Sequence, residues 1–294
     1  MKKLVLIIFI TISLLNSTTA QHGSYDANEL VGEFGVTVGV AHYFGDLNTR
    51  VGLNRPKPAI GAFYRKQFNN YLGARISVHY AQLGYSDVYS KNDFQKRRNL
   101  SFNTDIWEFA LNGDFNFFKF VPGDVRYPFT PYVTLGIGVF SYNPYAYLNN
   151  KKIFLRPLGT EGQNIPYVDA NGKTRKPYGS MALCIPIGFG IKYNVSERMN
   201  FSVEITQRLT ATDYLDDVST TYVGVDKFAT LPPNGDLSNA GILQDRSYEK
   251  GTPIGIEGRQ RGWSKQKDQY VIAEVGFTFN ISTYKCPANI SNYY

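Results

Sequence analysis

The feature that most constrains the fold is a series of long segments in which apolar and polar residues alternate. In residues 105–118, Trp107 and Phe109 fall on one face, and Glu108 and Asn112 fall on the other. Alternation with a period of two predicts a β-strand with two unlike faces. Similar patterns recur along the chain. The predicted strands are residues 33–44, 59–68, 72–83, 105–118, 131–140, 182–193, 201–208 and 271–281.

Strand length and loop length together favour a membrane barrel over a soluble sandwich. Tilted strands need about 9–11 residues to cross a membrane, whereas strands of soluble proteins usually stop at about 5–6. Residues 69–71 and 194–197 are short connections, whereas 145–179 and 210–269 are very long. Outer-membrane barrels have short periplasmic turns and long external loops. We therefore predict an all-β fold: a single eight-stranded antiparallel transmembrane β-barrel in the cell outer membrane, surrounded by outer-membrane lipid, with both termini in the periplasm.

The two ends of the chain are predicted to lie outside the barrel. Residues 1–20 have a basic start, an apolar stretch and a small-residue end before Gln21, which is the pattern of a cleaved secretory signal peptide. No later stretch approaches the ~18 uninterrupted apolar residues expected of a membrane helix. The sequence therefore predicts a signal peptide at 1–20, a barrel at 21–284 and a periplasmic tail at 285–294.

Charged residues on the polar faces of the strands predict a plugged interior. A barrel of about eight strands is only wide enough inside for side chains, so buried charges of both signs are expected to pair. We therefore expect no open pore. Inward glycines at 136, 138, 188 and 190 are expected to make room for long charged neighbours. The predicted lumen charge network is Arg75, His79, Glu108, Asp114, Lys192, Glu204, Arg208 and Glu274.

Motifs that carry catalysis or bind cofactors are scarce. Of the histidines His22, His42 and His79, none falls in a predicted external loop, so no Asp–His or Ser–His pair is expected and we predict no enzymatic activity. Glycine-rich nucleotide loops and paired-cysteine metal sites are missing, so no cofactor is expected. The 31 basic and 24 acidic residues are dispersed, which makes nucleic acid an unsuitable partner. Cys184, facing the lumen, and Cys286, in the tail, are predicted to be free thiols.

One acidic segment admits two interpretations. Asp213, Asp216 and Asp217 lie close together in a long predicted loop, and calcium sites favour several carboxylates. The spacing is not that of an EF-hand loop. Asp side chains also fix turns by accepting hydrogen bonds from loop backbone amides. The sequence favours this second interpretation and leaves calcium as the alternative.

A set of short strings recurs in order along the mature chain. They are residues 43–48, Lys57 and Pro58 with Gly61, Tyr64 and Arg65, and residues 98–102, 129–132, 157–163, 213–220 and 245–247. In this ordered set the sequence resembles PorG-like outer-membrane barrel proteins of the Bacteroidota type IX secretion system. The most specific pieces are Leu-Gly-Thr-Glu-Gly at 158–162 and Asp-Tyr-Leu-Asp-Asp-Val-Ser at 213–219.

The resemblance implies a non-enzymatic secretion component that anchors a periplasmic ring, built from a lipoprotein and its partner protein, to the outer membrane. A barrel reaches such a ring through its periplasmic turns and termini. The alternatives are a general surface barrel for adhesion or ligand binding through the long loops, and a small-solute channel. The expected partner-contact residues are Lys119, Asp124, Arg126, Tyr127, Lys285, Cys286, Tyr293 and Tyr294.

Overall fold

A computed structural model describes residues 28–49, 54–124, 126–169, 172–231 and 236–284, and within it Leu30–Ile281 form one compact unit. The predicted signal peptide and periplasmic tail lie outside the described residues. The strands are β1 (Asn28–Phe44), β2 (Lys57–Gln67), β3 (Leu72–Ser86), β4 (Ser101–Asn116), β5 (Phe129–Ser141), β6 (Tyr145–Leu148), β7 (Lys151–Phe154), β8 (Met181–Ser196), β9 (Met199–Thr210), β10 (Thr230–Leu231), β11 (Asp236–Leu237) and β12 (Gln269–Tyr284).

The long strands close into an antiparallel barrel. Each of β1, β2, β3, β4, β5, β8, β9 and β12 pairs with the next, and β12 pairs with β1. This closed ring of eight strands confirms the predicted barrel. Closure leaves no unpaired edge among these strands, as a spanning sheet requires in a solvent without hydrogen-bonding groups.

The strand boundaries differ in detail from those expected. Several strands are longer than predicted, and β8 continues to Ser196, so its turn to β9 is confined to Glu197 and Arg198. Strand β4 ends at Asn116, two residues before the predicted end. The predicted loop 145–179 also contains the β6–β7 hairpin, which extends the sheet where Tyr145 pairs with Asn103 of β4. Local alternation did not reveal this hairpin because its strands are only four residues each.

The two faces of the barrel wall have opposite chemistry, and the arrangement is the reverse of that in a soluble barrel. On β4, Trp107 is 59% exposed on the outside, whereas the adjacent Glu108 is 2% exposed on the inside. Outward positions on β8, including Ile187 and Phe189, are likewise exposed. An apolar outer belt around a polar interior is stable only where lipid surrounds the wall. No helix among the described residues is long and apolar enough to cross a membrane.

At the end of the barrel opposite the β2–β3 turn, the interior is apolar. Ile106, Phe140 and Ile272 point inward there and pack with Leu215 and Val218 from the long β9–β12 connection. The sequence prediction of a polar lumen is therefore wrong for this end. Where inward and outward residues are both apolar, the sequence no longer alternates between apolar and polar. The apolar core at the barrel mouth therefore could not be recognised from the alternation.

The long connections fold over this apolar mouth into a cap, which we define as residues 45–49, 87–100, 142–169, 172–180, 211–231 and 236–268. The cap contains α1 (Asp93–Arg98), α2 (Asn239–Gln244) and two hairpins, β6–β7 and β10–β11. The side chain of Asn92 caps α1 by accepting from the backbone amides of Phe94 and Gln95. The helix ends at Asn99, which adopts a left-handed conformation with φ of 59°.

Candidate functional site: the lumen network and the cap

Near the β2–β3 turn, the lumen is filled by a charge cluster centred on Asp114. Its carboxylate lies 2.7 Å from Arg65 Nε, 3.7 Å from an Arg75 nitrogen and 3.4 Å from Lys192 Nζ. Arg65 also lies 3.4 Å from Glu33. All of these side chains are nearly fully buried. One carboxylate therefore holds three cations from three different strands.

Glu204 completes the charge balance of this layer. Its Oε2 lies 2.8 Å from an Arg75 nitrogen and also accepts a hydrogen bond from the Tyr132 hydroxyl. Three carboxylates, those of Glu33, Asp114 and Glu204, thus face the three cations in the same layer. Buried charges are tolerated when they are paired and hydrogen-bonded, so this layer acts as a neutral plug.

A second charged layer lies nearer the cap and is centred on Glu108. Arg208 Nε lies 3.2 Å from its carboxylate, and the Tyr270 hydroxyl donates to it. The two ring nitrogens of His79 lie 3.6 Å from Glu108 and 3.4 Å from Glu274. His79 therefore lies between two carboxylates, with one ring nitrogen nearest each of them.

The structure places all eight residues of the predicted lumen network inside the barrel and brings them into these two layers. Sequence reasoning omitted Glu33 and Arg65. Both lie two residues from other inward-facing positions of their strands, so the alternation could have identified them. It also omitted the tyrosines Tyr132 and Tyr270, because a tyrosine fits either face of such a wall.

The inward glycines do make room for neighbours, but these neighbours are not the long charged residues expected. A Cβ on Gly190 would lie 2.8 Å from the Tyr132 ring, and one on Gly136 would lie 2.1 Å from the Asn112 side chain. At Gly138 and Gly188 the nearest side chains are those of Cys184 and Thr206. Cys184 itself is a buried free thiol in the described residues, and Cys286 lies outside them.

The cap is organised around one buried ion pair. Arg261 lies 2.9 Å from Glu161, and the remaining acceptor sites of Glu161 bind the backbone amides of Ser219 and Thr220 and the Thr220 hydroxyl. Arg261 also donates to the carbonyls of Gln244 and Asp217. A single pair thereby joins three distant parts of the cap.

A second buried pair, Arg98 with Asp87, links the cap segment 87–100 to the cap segments 45–49 and 236–268. Arg98, at the end of α1, binds Asp87 with two nitrogens at 2.7 and 2.9 Å. It also donates to the carbonyls of Asp46 and Arg261. The Asp46 carboxylate in turn accepts from the backbone amide of Trp263. Burial raises the pKa of Asp46 to about 6.

Tyr43 and two carboxyls form a cluster that requires an extra proton. The Tyr43 hydroxyl lies 2.6 Å from Asp216 Oδ2 and 2.9 Å from Asp268 Oδ1. A hydroxyl donates only one proton, so the second contact needs a proton on one of the two carboxyls. Burial, followed by repulsion from nearby carboxylates, raises the pKa values of Asp216 and Asp268 well above their usual range. The hydrogen-bond geometry and the raised pKa values therefore both indicate that one of the two carboxyls is protonated.

The acidic segment accepts hydrogen bonds from a backbone amide and from side-chain hydroxyls of the cap. Asp216 Oδ1 accepts from the amide of Val218, Asp213 accepts from the Ser219 hydroxyl, and Asp217 accepts from the hydroxyls of Thr160 and Tyr178. Burial raises the pKa of Asp213 to about 7 and that of Asp217 to about 6. In the part of the chain that the structure describes, no group of three or more His, Cys, Asp or Glu side chains is arranged to hold a metal ion.

At the opposite end of the barrel, the β4–β5 turn carries the described part of the expected partner-contact set. Lys119 lies over the ring of Tyr127, with its Nζ 4.1 Å from the centroid, and the exposed Arg126 pairs with Asp124 at 2.8 Å. The Asn194 amide donates to backbone carbonyls of this turn at 2.9–3.2 Å and fixes its shape. Lys285, Cys286, Tyr293 and Tyr294 lie outside the described residues.

The closed barrel, its lipid-facing outer belt and its charged interior define a bacterial outer-membrane β-barrel protein. The family model described as "Domain of unknown function (DUF6089)" matches residues 3–156, more than half of the sequence, and the chain belongs to this family. No curated protein matches the sequence.

Three solved structures illustrate the similarity to known barrels. Neisserial surface protein A is 7% identical with a TM-score of 0.41, and the match covers 85% of this chain and 97% of that one. A major outer membrane protein from Thermus thermophilus is 12% identical with a TM-score of 0.38, covering 85% and 99%. OprG from Pseudomonas aeruginosa is 10% identical with a TM-score of 0.34, covering 87% and 98%. Similarities at this level bear on neither function nor ligand.

Proposed function

We propose that this chain is a non-enzymatic outer-membrane component of the type IX protein secretion system that anchors the periplasmic ring complex to the outer membrane. The resemblance of its ordered strings to PorG-like proteins is the starting point. The observation that carries the proposal is the exposed, internally hydrogen-bonded β4–β5 turn at the end of the barrel away from the cap. The strings themselves lie mostly at the other end. Asp46, Arg98, Glu161, Asp217 and Arg246 each come from a different string, and all contribute contacts within the cap.

The sealed lumen supports an anchoring role over a transport role. The charge layers around Asp114 and Glu108 fill the barrel, and the apolar mouth and cap close its outer end. Opening a path for solute would separate buried ion pairs, which costs several kcal/mol for each unpaired charge. A barrel of this kind serves as a rigid body in the membrane. Its function then depends on the surfaces that it presents on either side.

On the periplasmic side, the β4–β5 turn offers such a surface. Asn194 donates hydrogen bonds to three of its backbone carbonyls, and Lys119 and Arg126 are exposed on it. A rigid turn loses little conformational entropy when a partner binds. We propose that this turn contacts the ring lipoprotein or its partner protein.

Site-specific photo-crosslinking in intact cells tests this proposal. A photoreactive residue at position 126 is expected to crosslink to the ring lipoprotein or its partner, whereas one at position 96 on the cap is not. Lys96 is a matched control because it is exposed, basic and on the opposite side of the membrane. The proposal fails if position 126 captures neither ring protein and deletion of the gene leaves type IX cargo secretion unchanged.

The cap supports one second candidate, a surface barrel that binds ligands through its long loops. The favouring observation is a pair of adjoining cavities at the base of the cap, of about 440 and 320 Å³. Such cavities are within or near the size range of small-ligand sites. This candidate predicts normal secretion of cargo after gene deletion, together with loss of a surface-binding activity.

A further inference from the structure

The larger of the two cavities is lined by three separate parts of the cap. Its volume is about 440 Å³, and its walls include Phe94 from α1, Asp46 from the first loop, and Gln260, Trp263 and Gln266 from the β9–β12 connection. Trp263 is 52% exposed and Phe94 37%. Exposed aromatic side chains at a concave site present flat apolar surfaces to a ligand.

The segment that carries Trp263 is held firmly in place. Its backbone amide donates to Asp46 at 2.8 Å, and the amides of Arg261 and Gly262 both donate to the carbonyl of Thr220. The part of the cavity wall that carries Trp263 is therefore preformed. Preformed sites lose less free energy to ordering when they bind.

Two of the polar groups of the wall are neutral amides that remain available. Gln260 and Gln266 are exposed, and their side chains make no hydrogen bond within the described part of the chain. Each amide offers both donors and an acceptor. The two lining arginines, Arg98 and Arg261, are instead committed to Asp87 and Glu161. Among the described residues that line the cavity, which also include the acidic Asp46, no cation is left free for an anionic ligand.

A second cavity, of about 320 Å³, adjoins the first and shares Gly45, Thr49 and Gln266 with it. Its remaining wall includes Phe44, Gln207 and Gln269, which lie at the cap end of the outer barrel face. The two cavities therefore form a groove that continues from the cap towards the lipid-facing wall. A groove of two compartments fits a chain of linked units better than a single small molecule.

From this groove we propose a binding site for an uncharged oligosaccharide. The aliphatic C–H face of one sugar unit packs on Trp263, and the amides of Gln260 and Gln266 bind the ring hydroxyls. The next unit lies in the adjoining cavity beside Gln207 and Gln269. Two sources share this chemistry, a free oligosaccharide and the sugar chain of a glycolipid in the surrounding outer leaflet.

The protein's tryptophans make a direct binding assay possible. The sequence contains two tryptophans, Trp263 in the groove and Trp107 on the outer wall. A Trp107→Phe background therefore leaves Trp263 as the only tryptophan reporter. Its fluorescence is recorded in nanodiscs during titration with neutral glucose, mannose and galactose oligosaccharides, with sialylated oligosaccharides, and with peptides of mixed sequence. Parallel nanodiscs contain lipopolysaccharide or lipid A that lacks the sugar chain.

We expect a saturable change with at least one neutral oligosaccharide or with lipopolysaccharide, and no change with lipid A. Saturation by free sugar assigns the free source, and a response to lipopolysaccharide alone assigns the lipid-anchored source. In the same background, Gln266→Ala is expected to weaken binding by about tenfold, the loss of one polar contact. Lys96→Ala, a control elsewhere on the cap, leaves it unchanged. Preference for sialylated probes or for peptides, or no response to any probe, overturns the proposal.

Discussion

Replacing Glu161 with Gln is expected to loosen the cap while leaving the barrel folded. The substitution preserves side-chain shape but removes the charge that faces Arg261, which is 2% exposed. It also places an amide N–H₂ group among backbone donors, since both Ser219 and Thr220 donate to this carboxylate. The Glu161 site is remote from the lumen layers, so the ion pairs inside the barrel should remain intact.

The size of the effect follows from the remaining contacts of Arg261. Breaking one partner of a buried ion pair costs about 3–5 kcal/mol. Arg261 keeps its hydrogen bonds to the carbonyls of Gln244 and Asp217, and its nitrogen still lies 3.9 Å from the Asp217 carboxylate. We therefore take the lower end, about 3 kcal/mol, which corresponds to an increase of about a hundredfold in the open population of the cap.

Limited proteolysis of the protein refolded in detergent measures this population, because cleavage tracks the open state when opening and closing are fast. Cleavage within residues 211–268 is expected to accelerate by about a hundredfold in Glu161→Gln. The control is Glu249→Gln, which removes a partly exposed pair with Arg246 and should change the rate by less than about threefold. A Glu161→Gln cap that is cleaved at the wild-type rate would refute this reasoning.

Three further predictions address the lumen, the pH response and the packing. Asp114→Asn leaves three buried cations without their shared carboxylate. The urea midpoint of unfolding in detergent should therefore fall by an amount equivalent to about 3–5 kcal/mol. An unchanged midpoint would contradict the claim that these ion pairs stabilise the barrel. The pKa of Asp213 in the folded protein is about 7, whereas an Asp in the unfolded chain has a pKa of about 3.9. Between about pH 4 and pH 7 the folded cap therefore binds about one proton more than the unfolded chain. Its stability falls as the pH rises through this range. Cap cleavage should therefore be slower at pH 5 than at pH 8, and Asp213→Asn should reduce this difference. Faster cleavage at pH 5 than at pH 8 would contradict the predicted pH dependence of cap stability. In Gly190→Ala the added Cβ would lie 2.5 Å from the Val203 carbonyl oxygen and 2.8 Å from the Tyr132 ring, which should destabilise the barrel by about 1–3 kcal/mol. Gly113→Ala, whose Cβ meets its nearest atom at 3.8 Å, should be neutral; equal effects would show that the contacts at Gly190 are relaxed.

The barrel wall could be predicted from the sequence because its physical rule is local. Each outward residue faces lipid and each inward residue faces the lumen, so a period of two is imposed on every strand. The difference in exposure between Trp107 on the outside and Glu108 on the inside follows directly from this rule. The same rule located the lumen charges, but it could not show which carboxylate pairs with which cation, because strand register decides that.

The cap could not be predicted in the same way because its contacts join residues that are far apart in sequence. Glu161 meets Arg261 across a hundred positions, and Tyr43 meets Asp268 across 225. No local pattern encodes such pairs. The apolar mouth was missed for a related reason: Ile106 and Phe140 face inward to contact the cap, and only the cap's position explains them.

Electrical recording in planar lipid bilayers tests the central claim, that this outer-membrane barrel is plugged, most directly. Purified protein whose folding has been verified by its heat-dependent gel mobility is inserted into a bilayer, with a large open porin as the positive control. We predict no steady conductance, because the layers around Asp114 and Glu108 and the apolar mouth fill the lumen. Stable, uniform conductance steps from the folded wild-type protein would contradict the account.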